Sequence, residues 1–368
     1  MRSVRPLLAL IPVLLALACG GKGASSPTPS STQPPAATRS YRMGFGNTPP
    51  KDDQADAEAA VEMAAKREDA AIFHFGLPYQ DLLSGTTATQ EVTSQYLPLA
   101  QYYRSQGLAI WVTFDVTDGL DRTQEDPTLT ALGRSITDPA IQAVYRDFVQ
   151  TFVAVIQPDE VGLAAETNLI RIAAAPAVYQ AVVTMTNAAA AELQAQWPAL
   201  PIYVTVQVDT AWGRLQGNDI YLGVEQDFAD FPFIRSLGLS SYPYLAGFTD
   251  PAQIPLDYYQ RLLNGRTLPL FVAEGGWTSA KVDAGAIQVQ SSPAIQAAYI
   301  TRQGQLLDTA QAVAVFQLTF ADIDLSTYPS EPSGATLPLF TCNGLVDDDL
   351  NPKPALAAWD ALFDRQLK

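Results

Sequence analysis

The chain of 368 residues contains one histidine and two cysteines, and this scarcity removes several chemistries at once. A structural zinc site takes about four Cys or His ligands. The three available here stand far apart in sequence, at Cys19, His74 and Cys342, so neither zinc nor haem is expected. No Gly-rich phosphate fingerprint follows an apolar run, which leaves a nucleotide cofactor without a visible site. No Ser stands in a G-x-S-x-G turn, so His74 has no partner for a Ser-His-Asp triad. Positive charge is also scarce: 22 Lys plus Arg face 38 Asp plus Glu, a net charge of −16. Binding to a phosphate backbone needs clustered cations that release counterions, so nucleic acid is not an expected partner. Apolar mass is plentiful, at 48% hydrophobic residues with 15 Phe and 15 Tyr, enough for a large core. Carboxylates are the groups left to carry chemistry, with no cofactor and no metal expected.

Only one long apolar run is present, over residues 7–17, and it falls short of the ~20 residues a membrane-spanning helix requires. It follows Arg2 and Arg5, is interrupted by Pro12, and ends in Ala16-Leu17-Ala18-Cys19, the layout of a secretory signal with a small-residue cleavage site. This segment resembles the lipobox of bacterial lipoproteins, with Ala16 standing where Leu is usual. The resemblance implies a signal peptide over 1–18, lipidation of Cys19, and a protein held outside the cytoplasm on a bacterial membrane through its lipid alone. An ordinary secretory signal is the alternative. Residues 19–40 are mostly Gly, Ser, Thr and Pro, a composition that buries no core and reads as an extended tether. Folded sequence is expected over 41–368, as a monomer whose one remaining thiol, Cys342, forms no intrachain disulfide.

From Tyr41 onward, short apolar runs alternate with longer segments of helical periodicity, the pattern of β/α units and a parallel sheet. Eight runs read as strands: 42–46, 71–75, 109–114, 161–165, 202–206, 237–241, 270–273 and 313–318. Helices are legible over 55–67, over 141–156 behind Thr137 and Asp138 as caps, over 178–196, and over 354–367 behind the acidic loop 347–349. Eight such units without a second shift in composition predict an α/β fold, a single (β/α)8 TIM barrel. A doubly wound open sheet is the structural alternative.

In a barrel of this kind, function sits at the C-terminal ends of the strands. Those positions are Asn47, His74, Asp115, Glu166, Gln207 with Asp209, Tyr242, Glu274 and Gln317. Two apolar strands run directly into Glu, at 166 and 274, although a carboxylate without a partner has no packing reason to be there. Strands four and seven face each other across the mouth. Two carboxylates there can approach to ~5 Å, the separation at which one attacks an anomeric carbon while the other protonates the leaving oxygen.

Several short segments carry a closer resemblance. The segment 111–127 with Asp115 and Asp118, LGLSSYPY over 237–244, AEGGW over 273–277, and GLVD at 344–347 with NPKP at 351–354 and Trp359 resemble, in this order, endo-β-1,4-galactanases (arabinogalactanases). That family belongs to the clan A glycoside hydrolases. The resemblance implies an endo-acting retaining hydrolase of β-linked polysaccharide, with Glu274 as nucleophile, Glu166 as acid/base and carbohydrate as the partner. From their places at or near the strand ends, sugar contacts are expected of His74, Asp115, Asn168, Gln207, Trp212, Tyr242, Tyr244, Trp277 and Gln317. The chain departs from the clan at three places. Ala165 precedes the acid/base where Asn is usual, the strand-two Arg is missing with His74 in that region, and Gln317 stands in place of the strand-eight Trp.

Each of these residues also has a structural reading. Glu166 and Glu274 can form a pair bonded to Arg or to backbone amides, since ion-pair networks also place carboxylates in clefts. The four aromatics can be core or rim residues, and His74 a hydrogen-bonded core residue. Asp115, Asp118 and Asp121 lack the Gly and terminal Glu of a calcium loop and read as a solvated acidic turn. The alternative function is a barrel lipoprotein that binds glycans or a partner without catalysis.

Overall fold

A computed structural model describes residues 38–284, 287–328 and 336–368; Cys19 and the expected signal lie outside them. All eight expected strands form: β1 (Arg42–Gly46), β2 (Ala70–Gly76), β3 (Ala109–Asp115), β4 (Glu160–Gly162), β5 (Ile202–Gln207), β6 (Ser236–Ser241), β7 (Leu270–Gly275) and β8 (Ala314–Gln317). Each pairs in parallel with the next, and β8 pairs back onto β1, so the sheet closes into a barrel and leaves no edge. The open-sheet alternative is thereby excluded.

The barrel interior is filled by side chains from alternate strand positions, among them Ile72, Trp111, Tyr203, Phe271 and Phe316. Room for these rings comes from glycine. A Cβ on Gly162 would sit 2.3 Å from the Tyr203 ring, so only Gly lets β4 pass beside it.

The expected helices are present with shifted ends, as Gln54–Ala64, Pro139–Ile156, Pro176–Gln196 and Pro354–Phe363. Asp138 caps the second by accepting from the Ala140 amide, as its sequence position suggests. The loop 347–349 does not cap the last one, because Asp347 accepts from the Asp349 and Asn351 amides and turns the loop on itself. That helix is also shorter than expected. Gln366–Leu367 leaves it to pair in parallel with Thr38–Arg39, so the fold begins inside the segment read as tether. Arg39 is buried, bonds the Asp69 carboxylate at 2.7 and 3.2 Å and donates to the Arg365 and Phe363 carbonyls, tying the first and last described segments to the bottom of the barrel. Among the described residues no helix is long and apolar enough to cross a membrane.

Two local irregularities position the mouth. After Gly162 the chain leaves the β4 ladder early, and Glu166 adopts φ 49° and ψ 45° ahead of the helix Thr167–Ala173. A non-Gly residue in this left-handed region carries backbone strain that the surrounding fold must hold. The Glu166 amide does so by donating to the Thr205 hydroxyl at 2.8 Å. On β7, Val272 pairs with Leu239 but Glu274 pairs with Ser240, so Ala273 is an extra residue, a bulge. Phe271 and Ala273 both belong to the interior cluster, and simple alternation would point Glu274 outward. The bulge returns it to the axis.

Candidate active site

Glu166 and Glu274 come together at the barrel mouth beside Ser240. Ser240 Oγ, fully buried on β6, donates to Glu166 Oε1 at 2.5 Å, and Ser240 pairs in register with Glu274 on β7.

The remaining carboxylate oxygens are held by cations. Arg122, from the loop after β3, donates Nε–H to Glu166 Oε2 at 2.9 Å, and its Nη1 reaches Asp115 Oδ1 at 2.5 Å. His74 on β2 places Nδ1 3.2 Å from Glu274 Oε2 and Nε2 3.8 Å from Asp115 Oδ2. Signs therefore alternate in space, from Glu166 through Arg122, Asp115 and His74 to Glu274. Buried charges persist only when paired in this way.

The two glutamates feel opposite environments. Burial pushes the Glu166 carboxyl up by more than Arg122 pulls it down, and the charge of Glu274 adds to the rise. Burial also works against the Glu274 carboxylate, yet the His74 cation and its hydrogen bond outweigh that cost and hold its pKa below the ordinary value. For His74, burial disfavours the imidazolium, but Glu274 and Asp115 raise its pKa to about 10. Asp115, although buried, is held well below the usual carboxylate range by Arg122 and His74. One carboxyl that holds its proton more tightly beside one that holds it less tightly is the division of labour that acid–nucleophile chemistry needs.

The other expected contacts divide into two groups. His74, Asp115 and Tyr242 stand at the pair, and burial together with the charges of Glu274 and Glu166 pushes the Tyr242 hydroxyl's pKa well above its ordinary value. The rest serve the scaffold. Asn168 commits both ends of its amide to the Gln207 main chain, at 2.9 and 2.8 Å. Gln207 caps the short helix Val208–Ala211 through Thr210 and bonds Asp209. Trp277 is fully buried with its indole N–H on Ser291, so it has no face for a sugar. Gln317 is fully buried and donates to the Asn343 carbonyl. Tyr244 is buried with its hydroxyl on the Leu339 carbonyl. Trp212 stacks on Tyr258 with Arg261 over its ring, which covers the faces a sugar would use. Tyr242 is as buried as Tyr244 and packs against Tyr244 and Phe340, so the expected platform of four exposed aromatics is not formed. An apolar strand followed by an aromatic looks the same in sequence whether the ring faces the cleft or the core.

Sequence reading missed Arg122 and Ser240. Arg122 lies within an acidic turn where a lone cation reads as surface. Ser240 stands inside an apolar strand, and only the β7 bulge sets it opposite Glu274. Asp118 and Asp121 accept from the Leu120 and Thr123 amides two residues on, as local turns do.

Comparison with known proteins places the architecture. No protein-family model matches the sequence, and no curated protein matches it. Solved structures do match. An exo-β-1,4-mannosidase from Opitutaceae bacterium strain TAV5 superposes with TM-score 0.63 at 14% identity, over 90% of this chain and 62% of that one. GH5_18 from Streptomyces cattleya, in complex with GlcNAc, superposes with TM-score 0.60 at 16% identity, over 89% of this chain and 80% of that one. A β-glucuronidase from Ruminococcus gnavus, in complex with D-glucaro 1,5-lactone, gives TM-score 0.55 at 14% identity, over 88% and 50%. This chain thus spans 62% of the mannosidase and half of the glucuronidase. At such identities the likeness establishes the shared barrel fold.

Proposed function

We propose that the protein is a retaining glycoside hydrolase of β-linked polysaccharide or oligosaccharide, with Glu274 as nucleophile and Glu166 as acid/base. The observation that carries this reading is the pair of buried mouth carboxylates, Glu166 held by Arg122 and Ser240 and Glu274 by His74, whose pKa values are pushed apart. Glu274 attacks the anomeric carbon as the glycosidic C–O bond breaks, and Glu166 gives its proton to the departing oxygen. Glu166 then takes a proton from water, whose oxygen displaces Glu274 from the anomeric carbon and releases the sugar with its configuration retained. His74 stabilises the ionised nucleophile, in the region where the resembling family has Arg. The superposed mannosidase and glucuronidase are named for β-glycosides, which supports the β-linkage. The segment 237–244 makes β-1,4-galactan the first polysaccharide to test.

The test is a panel of β-galactan, β-mannan, β-glucan and xylan assayed for reducing-sugar release, followed by trapping. A 2-fluoro glycoside of the released sugar, carrying a good leaving group, should leave its mass on Glu274 in the peptide 270–277. Labelling on Glu166 would reverse the assignment, and no turnover of any member would end it. A second reading is a barrel that binds glycans without turnover. It is favoured by the departures from the clan pattern, Ala165 before Glu166, His74 in the region of the strand-two Arg and Gln317 in place of the strand-eight Trp, and it predicts saturable binding by Glu166→Gln and wild type alike.

A further inference from the structure

Arg122 is buried, and the donors described above are spent around a single point. Its Nε–H goes to Glu166 Oε2, and Nη1 to Asp115 Oδ1, the Thr117 hydroxyl at 3.1 Å and the Asp118 carbonyl at 3.4 Å. The loop that follows β3 thus wraps its own guanidinium and presents one N–H to one oxygen. The other oxygen of Glu166 meets Ser240 Oγ. These partners differ in kind. A guanidinium only donates and does not lose its proton, whereas a hydroxyl both donates and accepts. A proton on Oε2 would confront a donor. On Oε1 it would point at Ser240, whose own proton then turns to Glu274.

We propose that Arg122, held in place by Asp115, is a positioning residue for the proton donor: by filling Oε2 of Glu166 it confines the transferable proton to Oε1. This rests on the reading of Glu166 as acid/base. Groups facing the Glu166 carboxyl are Arg122 from the β3 loop, Ser240 from β6, Tyr242 immediately after β6, and Glu274 from β7. Asp115 and His74 act on it through Arg122 and Glu274. Removing Arg122 frees the proton to occupy either oxygen and removes a cation from the acid. Neutralising Asp115 leaves the Arg122 charge acting on Glu166 alone. The two changes therefore push the ionisation of Glu166 in opposite directions.

The experiment compares wild type, Arg122→Lys, Arg122→Met and Asp115→Asn on 2,4-dinitrophenyl and methyl β-glycosides of the sugar that the panel selects. A dinitrophenolate leaves without protonation and a methoxide does not. Arg122→Met should lose about 100-fold or more in kcat/KM on the methyl glycoside and less than about tenfold on the dinitrophenyl one, the range in which general acid catalysis operates. Arg122→Lys restores charge without the Nε–H geometry and should fall between. The alkaline limb of the pH profile should move up in Arg122→Met and down in Asp115→Asn, while the lost charge beside His74 shows on the acid limb of the latter. Circular dichroism and melting identify any variant that does not fold. Should Arg122→Met fail there, Arg122→Lys and Asp115→Asn carry the test alone. Equal losses on both glycosides in a folded variant, or alkaline limbs that stay still, overturn the inference. A wild type that turns over neither glycoside fails the acid/base reading instead, so the two failures are distinguishable.

Discussion

His74 Nδ1 lies 3.2 Å from Glu274 Oε2, so the one imidazole of the chain is the counter-charge of one of its two mouth glutamates. Because burial opposes this charge and two carboxylates restore it, the protonated form belongs to the folded state.

That state is directly observable, since a single histidine gives a single imidazole Hε1 resonance. Its folded pKa of about 10 lies above the unfolded value of about 6.5. The stability it contributes is therefore fully present below about pH 6.5 and is lost as pH rises through about 10. His74→Asn should cost more stability at pH 6 than at pH 10 in denaturant unfolding. An Hε1 titration midpoint near 6.5 would break the ion pair as a description of the folded protein.

The pH dependence of turnover should be a bell. Glu274, lowered by His74, sets the acid limb below the ordinary Glu value, and Glu166, raised by burial, sets the alkaline limb above it. Glu166→Gln should lose about 10² to 10⁴ in kcat/KM on substrates with poor leaving groups and lose the alkaline limb with it. A rate that stays flat from about pH 4 to 8 contradicts two carboxylates in these roles.

At the barrel bottom, Glu68 is buried and its pKa is pushed up to about 8, chiefly by burial, against an opposing hydrogen bond from the Phe45 amide. A carboxyl raised in the folded state favours folding most when protonated. Its contribution is present below about pH 4.5 and is lost as pH rises through about 8. Glu68→Gln keeps the acceptor for Phe45 and should stabilise the protein by on the order of a few kcal/mol near pH 8.5. At pH 5 the difference in melting temperature should nearly vanish, and a gap independent of pH would count against burial as the cause.

Trp277 separates a sugar platform from a core residue. It is fully buried between Tyr244 and Tyr299, with ring centroids at 5.8 and 5.3 Å. Trp277→Ala should cost about 3–5 kcal/mol of stability, while Trp277→Phe should fold with a KM close to wild type. A raised KM at unchanged stability would return this ring to the cleft.

The anchor is tested in the cell. Cys19→Ser should move the protein from the membrane fraction to the soluble one, because one residue carries the expected lipid. If the variant stays with the membrane through detergent-free washing, lipidation at this Cys is not what holds it.

The barrel and its two glutamates were legible in the sequence for physical reasons. Parallel strands buried on both faces must be near-continuous apolar runs, crossovers must be long, and a carboxylate ending such a run is conspicuous. Residues such as Asn168, Gln207 and Trp277 looked functional because polar and aromatic side chains at strand ends look alike whether they face the cleft or brace the scaffold. What only the tertiary structure decided was direction and partnership. The left-handed turn at Glu166 and the extra residue Ala273 on β7 aim the two carboxylates, and neither has a local signature. Arg122 and Ser240 became site residues only when chain closure set them against Glu166, at sequence separations of 44 and 74 residues. Periodicity reports which face of an element is buried, and it carries no information about what the opposite wall of a closed barrel places against that face.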